Sequence, residues 1–515
     1  MRIINYILAA VFVVAVTFTM AWPRSMASAA DPAFQFSAGE RQLFVDDVGI
    51  ANIENLKRTM HPPEKKGAVI KPDLRLGEKS LQTRSAPQWD PETKRYRFWN
   101  CSEPDDMNAR GVYASGYFES EDGIHWRRPV MRQIEHRGSL KNNYVNVKET
   151  GRRMYLTLRD PTDPEPSRRY KGFSFTSGGL QPLVSDGVTW KRLDAPPVRS
   201  SDEFNLSYDA AQQRYLLSVK CAGPYGRAFA LSTSKDFEHW TRPELIFHAD
   251  KADQERARQI IKERFMNPTV QRPVYNQPSV YGAQIYNFAV FRYEDLYIGL
   301  PAVYYRTGPC AGGGDDGFHH VQLACSRDLK RWQRLGDRKS FIGPSPLGGD
   351  AYDLQQIIGP SYPIVREDEL WFYYTGLKFR CVPKGMRPDG PDRAAICLAV
   401  LRRDGFISLD AGEQEGTVVT DPFKLSGTKL FVNVDAPKGE LRAEMLDGVG
   451  KVVAQSEPLT GDLLRDPVTW AEGNIADLKG QTASLRFTLR NAQLYSYLGA
   501  ITRRPANVME EQEPA

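Results

Sequence analysis

Alternation of apolar and polar residues with a period of two recurs along most of the chain, and with it a fixed grammar of turns. QWDPETKRYRFWN (Gln88–Asn100), SYDAAQQRYLLSV (Ser207–Val219) and YPIVREDELWFYYTG (Tyr362–Gly376) each read as a strand, a polar turn and an aromatic-led strand. KETGRRMYLTLRD (Lys148–Asp160) and FRYEDLYIGLPAVY (Phe291–Tyr304) fill the two gaps in that series. One phrase follows four times, as SEDGIHW, SDGVTW, SKDFEHW and SRDLKRW, with an Asp four residues ahead of a Trp: Asp122/Trp126, Asp186/Trp190, Asp236/Trp240 and Asp328/Trp332. Asp bonds its own backbone in tight turns and Gly accepts positive φ, so the phrase predicts a turn into a last strand. Its Trp then packs broadly on the neighbouring sheet. Copies spread around one scaffold cannot all reach one catalytic centre, so the phrase reads as frame.

Four antiparallel strands per unit is one propeller blade. Five units are predicted, from Gln82 to Pro129, Asn142 to Leu193, Asp202 to Phe247, Ala283 to Asp337 and Asp350 to Leu409. The fifth lacks the Trp, but RRDGFISL keeps the Asp-Gly turn and sets Phe406 after it. Between Glu255 and Gln277 a helix (ERARQIIKERF) and a Pro-rich loop interrupt the period. After Leu409 the alternation changes texture, with Lys438-Gly439 and Asp447-Gly448 as turn signals, and predicts a small closing β-sandwich. The expected fold is all-β: a propeller over 82–412, a sandwich over 413–504 and a disordered tail over 505–515. Within the N-terminal segment 31–81, RQLFVDDVGI is the one convincing strand, and it is expected to join the last blade and close the ring.

Composition agrees with a turn-rich β protein: 41 Gly, 35 Pro and 11% aromatics in 515 residues. The 68 basic residues nearly match the 63 acidic ones and show no long basic run, which excludes nucleic acid as an expected partner. Residues 1–30 read as a signal peptide: Arg2, an apolar run from Ile4 to Trp22, then Ala27-Ser28-Ala29, with cleavage near Ala29 or Ala30. The expected location is therefore secreted or periplasmic, with no stable membrane insertion after cleavage. An uncleaved anchor is the alternative reading of the same run. The six Cys (Cys101, Cys221, Cys310, Cys325, Cys381, Cys397) lack zinc-site spacing, and either disulfides or buried thiols satisfy the pattern.

A secreted five-bladed propeller followed by a β-sandwich resembles the furanosidase clan of glycoside hydrolases, families 32 and 43 and their relatives. SEDGIHW, SRDLKRW and LRRDGFISL, with DELWFYYTG, carry the resemblance, which spans about Leu43 to Tyr497. It implies an active site in the central funnel, with three carboxylates delivered by the innermost strands, and a poly- or oligosaccharide substrate. The Asn-Asp-Pro-Asn-Gly run of family 32 is absent here, and Arg159-Asp160-Pro161 falls at the end of a strand rather than its start. The clan's Glu-Cys motif has Asp202-Glu203-Phe204 at its blade position. Two rivals stay open: a non-catalytic glycan- or protein-binding propeller, and a glycoside phosphorylase with a basic phosphate pocket beside a single acid.

Glycoside hydrolysis needs an acid for the leaving oxygen and a second carboxylate to assist attack. Glu203 is the candidate acid, because a neighbouring Asp202 would raise its pKa. Asp46 and Asp47, after the apolar LFV, are candidates for nucleophile or base, with Asp47 preferred. Asp160, near Arg159 and Arg168-Arg169, is the candidate third carboxylate. Arg84, Asn143 (beside Asn142), Arg227, His320 and Asp350 (near Asp353) are candidates for binding sugar hydroxyls. The competing reading for each is a solvated turn or a structural ion pair. His319 and His320 point to opposite strand faces, so one lines the funnel and no catalytic metal is expected. No cofactor is expected either.

Overall fold

The computed structural model describes residues 39–104, 114–147, 154, 156–311, 313–381, 392–425, 427 and 429–500. The segments read as signal peptide and tail lie outside them. The chain is almost entirely β, with one α-helix, Lys251–Met266, among the described residues. That helix falls where the period is interrupted; Asp250 accepts from the Asp253 amide and Asp253 bonds back, a reciprocal cap.

Five groups of antiparallel strands follow one another, the first and fifth joined in one ten-stranded sheet by a parallel contact of Ser80 with Ala394. In the first, Glu78–Gln82 and Gln88–Asp90 both pair with Arg95–Pro104, which pairs with Ala114–Ser120. The second runs Thr157–Arg159, Tyr170–Thr176, Gly179–Ser185, Trp190–Arg192, and the third Phe204–Asp209, Arg214–Gly223, Gly226–Ser234, Glu244–Phe247. In the fourth, Gly282–Tyr293 pairs with Leu296–Pro309, which carries both Asp315–Val321 and Ala324–Ser326. In the fifth, Gln356–Ile358 and Ile364–Val365 pair with Glu369–Leu377, and that strand with Ala394–Arg402. A continuous apolar core joins the groups, from Leu81 through Leu158, Phe204 and Ile298 to Phe372. Each such side chain contributes about 1.5–3 kcal/mol on burial.

Three expectations are corrected. RQLFVDDVGI does not join the fifth group: Arg41–Leu43 pairs with Ala492–Ala500 in the C-terminal sheet. The strand that covers Ala394–Arg402 is Glu64–Ile70. EKKGAVI carries no clean alternation because two register shifts interrupt its pairing, and Gly67, at φ +81°, sits between them. The second unit does not open at Asn142, since Tyr144–Val145 pairs with Ala114–Ser120 of the first group. The fifth does not extend to Leu409: Ile407–Ala411 lies between Lys57–Met60 and Ala492–Ala500.

The closing sheet has twelve strands and draws on both chain ends, because Arg41–Leu43, Ile50–Glu54 and Lys57–Met60 belong to it. Its core packs Phe44 from the N-terminal segment against Val434, Phe487, Leu494 and Tyr497.

Three copies of the repeated phrase build the same turn; in the second, Asp186 accepts from the Val188 and Thr189 amides but the buried Trp190 indole makes no such bond. Ser120 Oγ accepts from the Gly123 amide at 2.9 Å, Asp122 Oδ1 from the Ile124 and His125 amides at 2.8 Å, and the Trp126 indole donates to Gly123 O at 3.0 Å. Asp236 and Asp328 repeat it with Trp240 and Trp332. The residue after each Asp has positive φ: Gly123 at +79°, Gly187 at +97°, but Phe237 at +68° and Leu329 at +63°. A non-glycine residue there costs about 1–2 kcal/mol, which burial of the Phe237 and Leu329 side chains offsets.

Candidate functional site

Polar residues of the third, fourth and fifth groups meet Arg84 of the first: Glu203 and Asn205 at a strand start, Asn287 within Gly282–Tyr293, and Ser361 after Gln356–Ile358. Glu203 immediately precedes Phe204–Asp209, and its carbonyl accepts from the Lys220 amide at 2.9 Å. Arg84 sits in the joint between the two inner pieces of the first group, where the Thr83 amide donates to Thr375 Oγ1 at 2.8 Å. The Arg84 guanidinium meets Glu203 side-on: Nε to Oε2 at 2.5 Å, Nη2 to Oε1 at 2.7 Å. Asn287 donates to Glu203 Oε2 at 3.4 Å and accepts from Asn205 at 3.1 Å, and Ser361 donates to Asn205 Oδ1 at 3.1 Å. All five side chains are buried.

Burial alone would raise the Glu203 pKa. The Arg84 guanidinium overrides it, with Lys220 and Asn287 adding to the effect, and the carboxyl is held below the usual carboxylate range. Glu203 is thus an ionised, paired carboxylate. The expectation of a proton-donating acid is corrected, because Arg84 and not Asp202 sets its charge. Asp202 is half-exposed and bonds Lys220 Nζ at 2.7 Å.

Beside this pair, Tyr286 gathers cations. Lys220 Nζ lies 4.0 Å from its ring centroid, Arg380 5.2 Å and Arg227 5.7 Å. Tyr286 occupies a register shift between Ile285 and Asn287, so the bulge turns Asn287 inward to Glu203 and leaves Tyr286 among the cations. Tyr304 and His319 back it, with ring centroids 5.7 and 4.6 Å from that of Tyr286. Burial holds His319 well below its ordinary pKa, with Arg380, Lys220 and Arg227 pushing the same way. The disulfide Cys310–Cys381 ties the residue after Arg380 to the end of Leu296–Pro309.

Of the residues singled out in sequence, Glu203, Asp202, Arg84 and Arg227 converge here. The others do not. Asp46 is held by Arg327 at 2.9 and 3.0 Å, beside the Ser326 turn. Ser326 pairs with Tyr297, seven residues before Tyr304 on the same strand and so about 23 Å away. Asp47 is exposed and bonds Arg58 at 2.6 Å. Asp160 follows the end of Thr157–Arg159, where it accepts from Thr162 at 2.6 Å and from the Tyr215 hydroxyl. Asp350 is exposed and paired with Lys71; Asp353 bonds Tyr374 and Lys65. Asn143 donates to Tyr117 O at 3.0 Å on the edge of the first group. His320 packs on Tyr305 and Phe318, its pKa pushed down to about 3 by burial and then by Arg264 and Lys65, so His319 is the histidine beside Tyr286.

Lys220, Asn205, Tyr286, Asn287 and Arg380 went unread in the sequence. The available signal was Asn205 two residues after Glu203, on the same strand face.

No family profile matches the sequence, and neither does any curated protein. Solved structures similar in shape include one titled "Glycoside hydrolase", at 13% identity and TM-score 0.39 over 66% of this chain and 92% of that one. Another is a GH32 beta-fructofuranosidase of Bombyx mori, at 10% identity and TM-score 0.35 over 85% and 95%. A GH43 arabinoxylan arabinofuranohydrolase from Bacillus subtilis matches at 9% and 0.36 over 84% and 99%. At scores this low the likeness carries neither fold nor activity over to this chain.

Proposed function

We propose that the five groups are the blades of a β-propeller closed by Glu64–Ile70, and that the mouth built around Arg84, Glu203 and Tyr286 binds a carbohydrate. The observation that carries this reading is the convergence of buried, hydrogen-bonded side chains from the first, third, fourth and fifth groups beside a half-buried tyrosine ring. Fixed polar groups beside an aromatic face suit a ligand with many hydroxyls and an apolar ring face. Export from the cytoplasm belongs to the same reading, supported by the N-terminal apolar run and by the disulfide.

Glycoside hydrolysis is the second reading, favoured by Asp202, which sets a half-exposed carboxylate beside the buried Glu203. In it both carboxylates act ionised: Glu203, held by Arg84, stabilises developing positive charge, and Asp202, paired with Lys220, is the group that assists attack. Affinity electrophoresis of the full chain against a panel of polysaccharides, with reducing-end release measured in parallel, separates the two. Retardation without release leaves the binding reading; release lost in both Glu203→Gln and Asp202→Asn supports catalysis. A chain that no polysaccharide retards is not carbohydrate-binding.

A further inference from the structure

The cations around Tyr286 outnumber the carboxylates that meet them. Among the described residues Lys220 is paired with Asp202, whereas Arg227 donates to the Gln284 side-chain oxygen at 2.6 Å and Arg380 to Asp315 O at 2.6 Å and the Tyr286 hydroxyl at 3.3 Å. The nearby acids are committed elsewhere. Asp315 pairs with Arg306 at 2.8 Å, Asp316 accepts from the Val274, Tyr275 and Gly317 amides and from Gln355, and Glu203 is neutralised by Arg84. Asp316 keeps its charge, since only amides meet it, so three positive charges face two negative ones, Asp202 and Asp316, and leave an excess of one beside a half-buried aromatic ring.

We propose that Lys220, Arg227 and Arg380 form a subsite for an oxyanion carried by the saccharide, the carboxylate of a uronate or the sulfate of a sulfated sugar. This rests on the carbohydrate reading above. Lys220 is buried and Arg227 and Arg380 half-buried, and like charges so placed repel one another and lose hydration, so the cluster is costly when empty and favourable once an anion sits in it. Guanidinium groups match carboxylate and sulfate oxygens in paired hydrogen bonds, and Lys220 adds a point charge. His319, kept neutral behind Tyr286, adds no further charge.

The test is calorimetric titration of the full chain with polygalacturonate, dextran sulfate, neutral dextran, and inorganic sulfate and phosphate. It is repeated with Arg227→Gln and with the charge-keeping Arg227→Lys, each checked for folding by circular dichroism. The expected result is binding of one charged polymer, weakened on the order of tenfold by Arg227→Gln, that is about 1.4 kcal/mol, and less by Arg227→Lys. Binding should also fall steeply as NaCl rises from roughly 0.05 to 0.5 M. Preference for polygalacturonate or for dextran sulfate tells carboxylate from sulfate. Neutral dextran bound as tightly as either, with Arg227→Gln unaffected, overturns the subsite and leaves the carbohydrate reading standing. Inorganic sulfate or phosphate bound without any polymer supports the subsite and overturns the carbohydrate reading. Absence of binding by every oxyanion overturns the subsite. If Arg227→Gln does not fold, the charged-against-neutral comparison and the salt dependence of the wild type decide.

Discussion

Arg84 and Glu203, 119 residues apart in sequence, face one another through two hydrogen bonds of 2.5 and 2.7 Å, and both are buried. Removing one partner of such a pair strands the other charge away from water, at a cost of about 3–5 kcal/mol. Arg84→Met and Glu203→Gln should each destabilise the protein by that order, and the double variant by clearly less than their sum. Urea denaturation of all four proteins measures the coupling. An interaction energy near zero would mean that the two side chains do not meet in solution.

The link between Cys310 and Cys381 spans 71 residues and anchors the segment carrying Arg380. Closing a loop of that length removes about 4 kcal/mol of unfolded-state entropy by the chain-entropy model. Cys310→Ser should therefore lower the melting temperature. It should also weaken any ligand that depends on Arg380 more than one that does not. Thermal scans of the variant and of the reduced wild type check the first point, and equal stability with and without the bond would refute it.

The turns of the repeated phrase make the protein acid-sensitive in a definite direction. Burial would raise Asp328, but the Arg331 and Lys330 amides and the Arg331 side chain bring it down from 3.8 to about 2. Asp122 and Asp236 are lowered in the same way, and Arg338 with the Asp253 amide brings Asp250 to about 2. A carboxylate with a depressed folded pKa stabilises above its unfolded value and loses that contribution as pH falls through the folded one. The melting temperature should thus be flat above about pH 5 and fall between pH 4 and 2. Asp328→Asn should flatten the fall at this turn; an unchanged slope would assign the acid lability to other groups.

What the sequence showed was periodic, and what it concealed was not. RYRFW and LWFYY announced their strands because one face of each is buried, and the four phrases announced their turns because Asp must accept from the next amides. EKKGAVI hid its strand behind Gly67 and two register shifts, and Ile407–Ala411 was read into the fifth unit because nothing local says which sheet a strand will join. The candidate site split along the same line. Glu203 and Arg84 could be found from strand starts counted back from each Trp. Their pairing, and the cations gathered on Tyr286, depend on contacts between groups and on a one-residue bulge, which leave no local period. Asp46, Asp47 and Asp160 looked catalytic as carboxylates at strand ends, but the ends in question are anchored by Arg327, Arg58 and Tyr215.

Asp404 offers the last test, because it joins the two parts of the molecule. Arg41 of the N-terminal segment bonds it at 3.1 Å, the Tyr293 hydroxyl of the fourth group at 2.5 Å, and Ser496 of the C-terminal sheet at 2.6 Å. Arg403 and Glu294 complete a buried set of two cations and two anions. Burial would raise the Asp404 pKa, but Arg41 and Arg403 override it, so the carboxylate is held ionised. Asp404 also has φ +63°, which Asn tolerates well. Asp404→Asn therefore removes the charge without straining the backbone. It should cost about 3–5 kcal/mol, because Arg41 and Arg403 are left in excess. Calorimetry should show a lowered and broadened transition, split where the closing sheet melts apart from the five groups. A single transition at the wild-type temperature would show that this ionic set does not couple them.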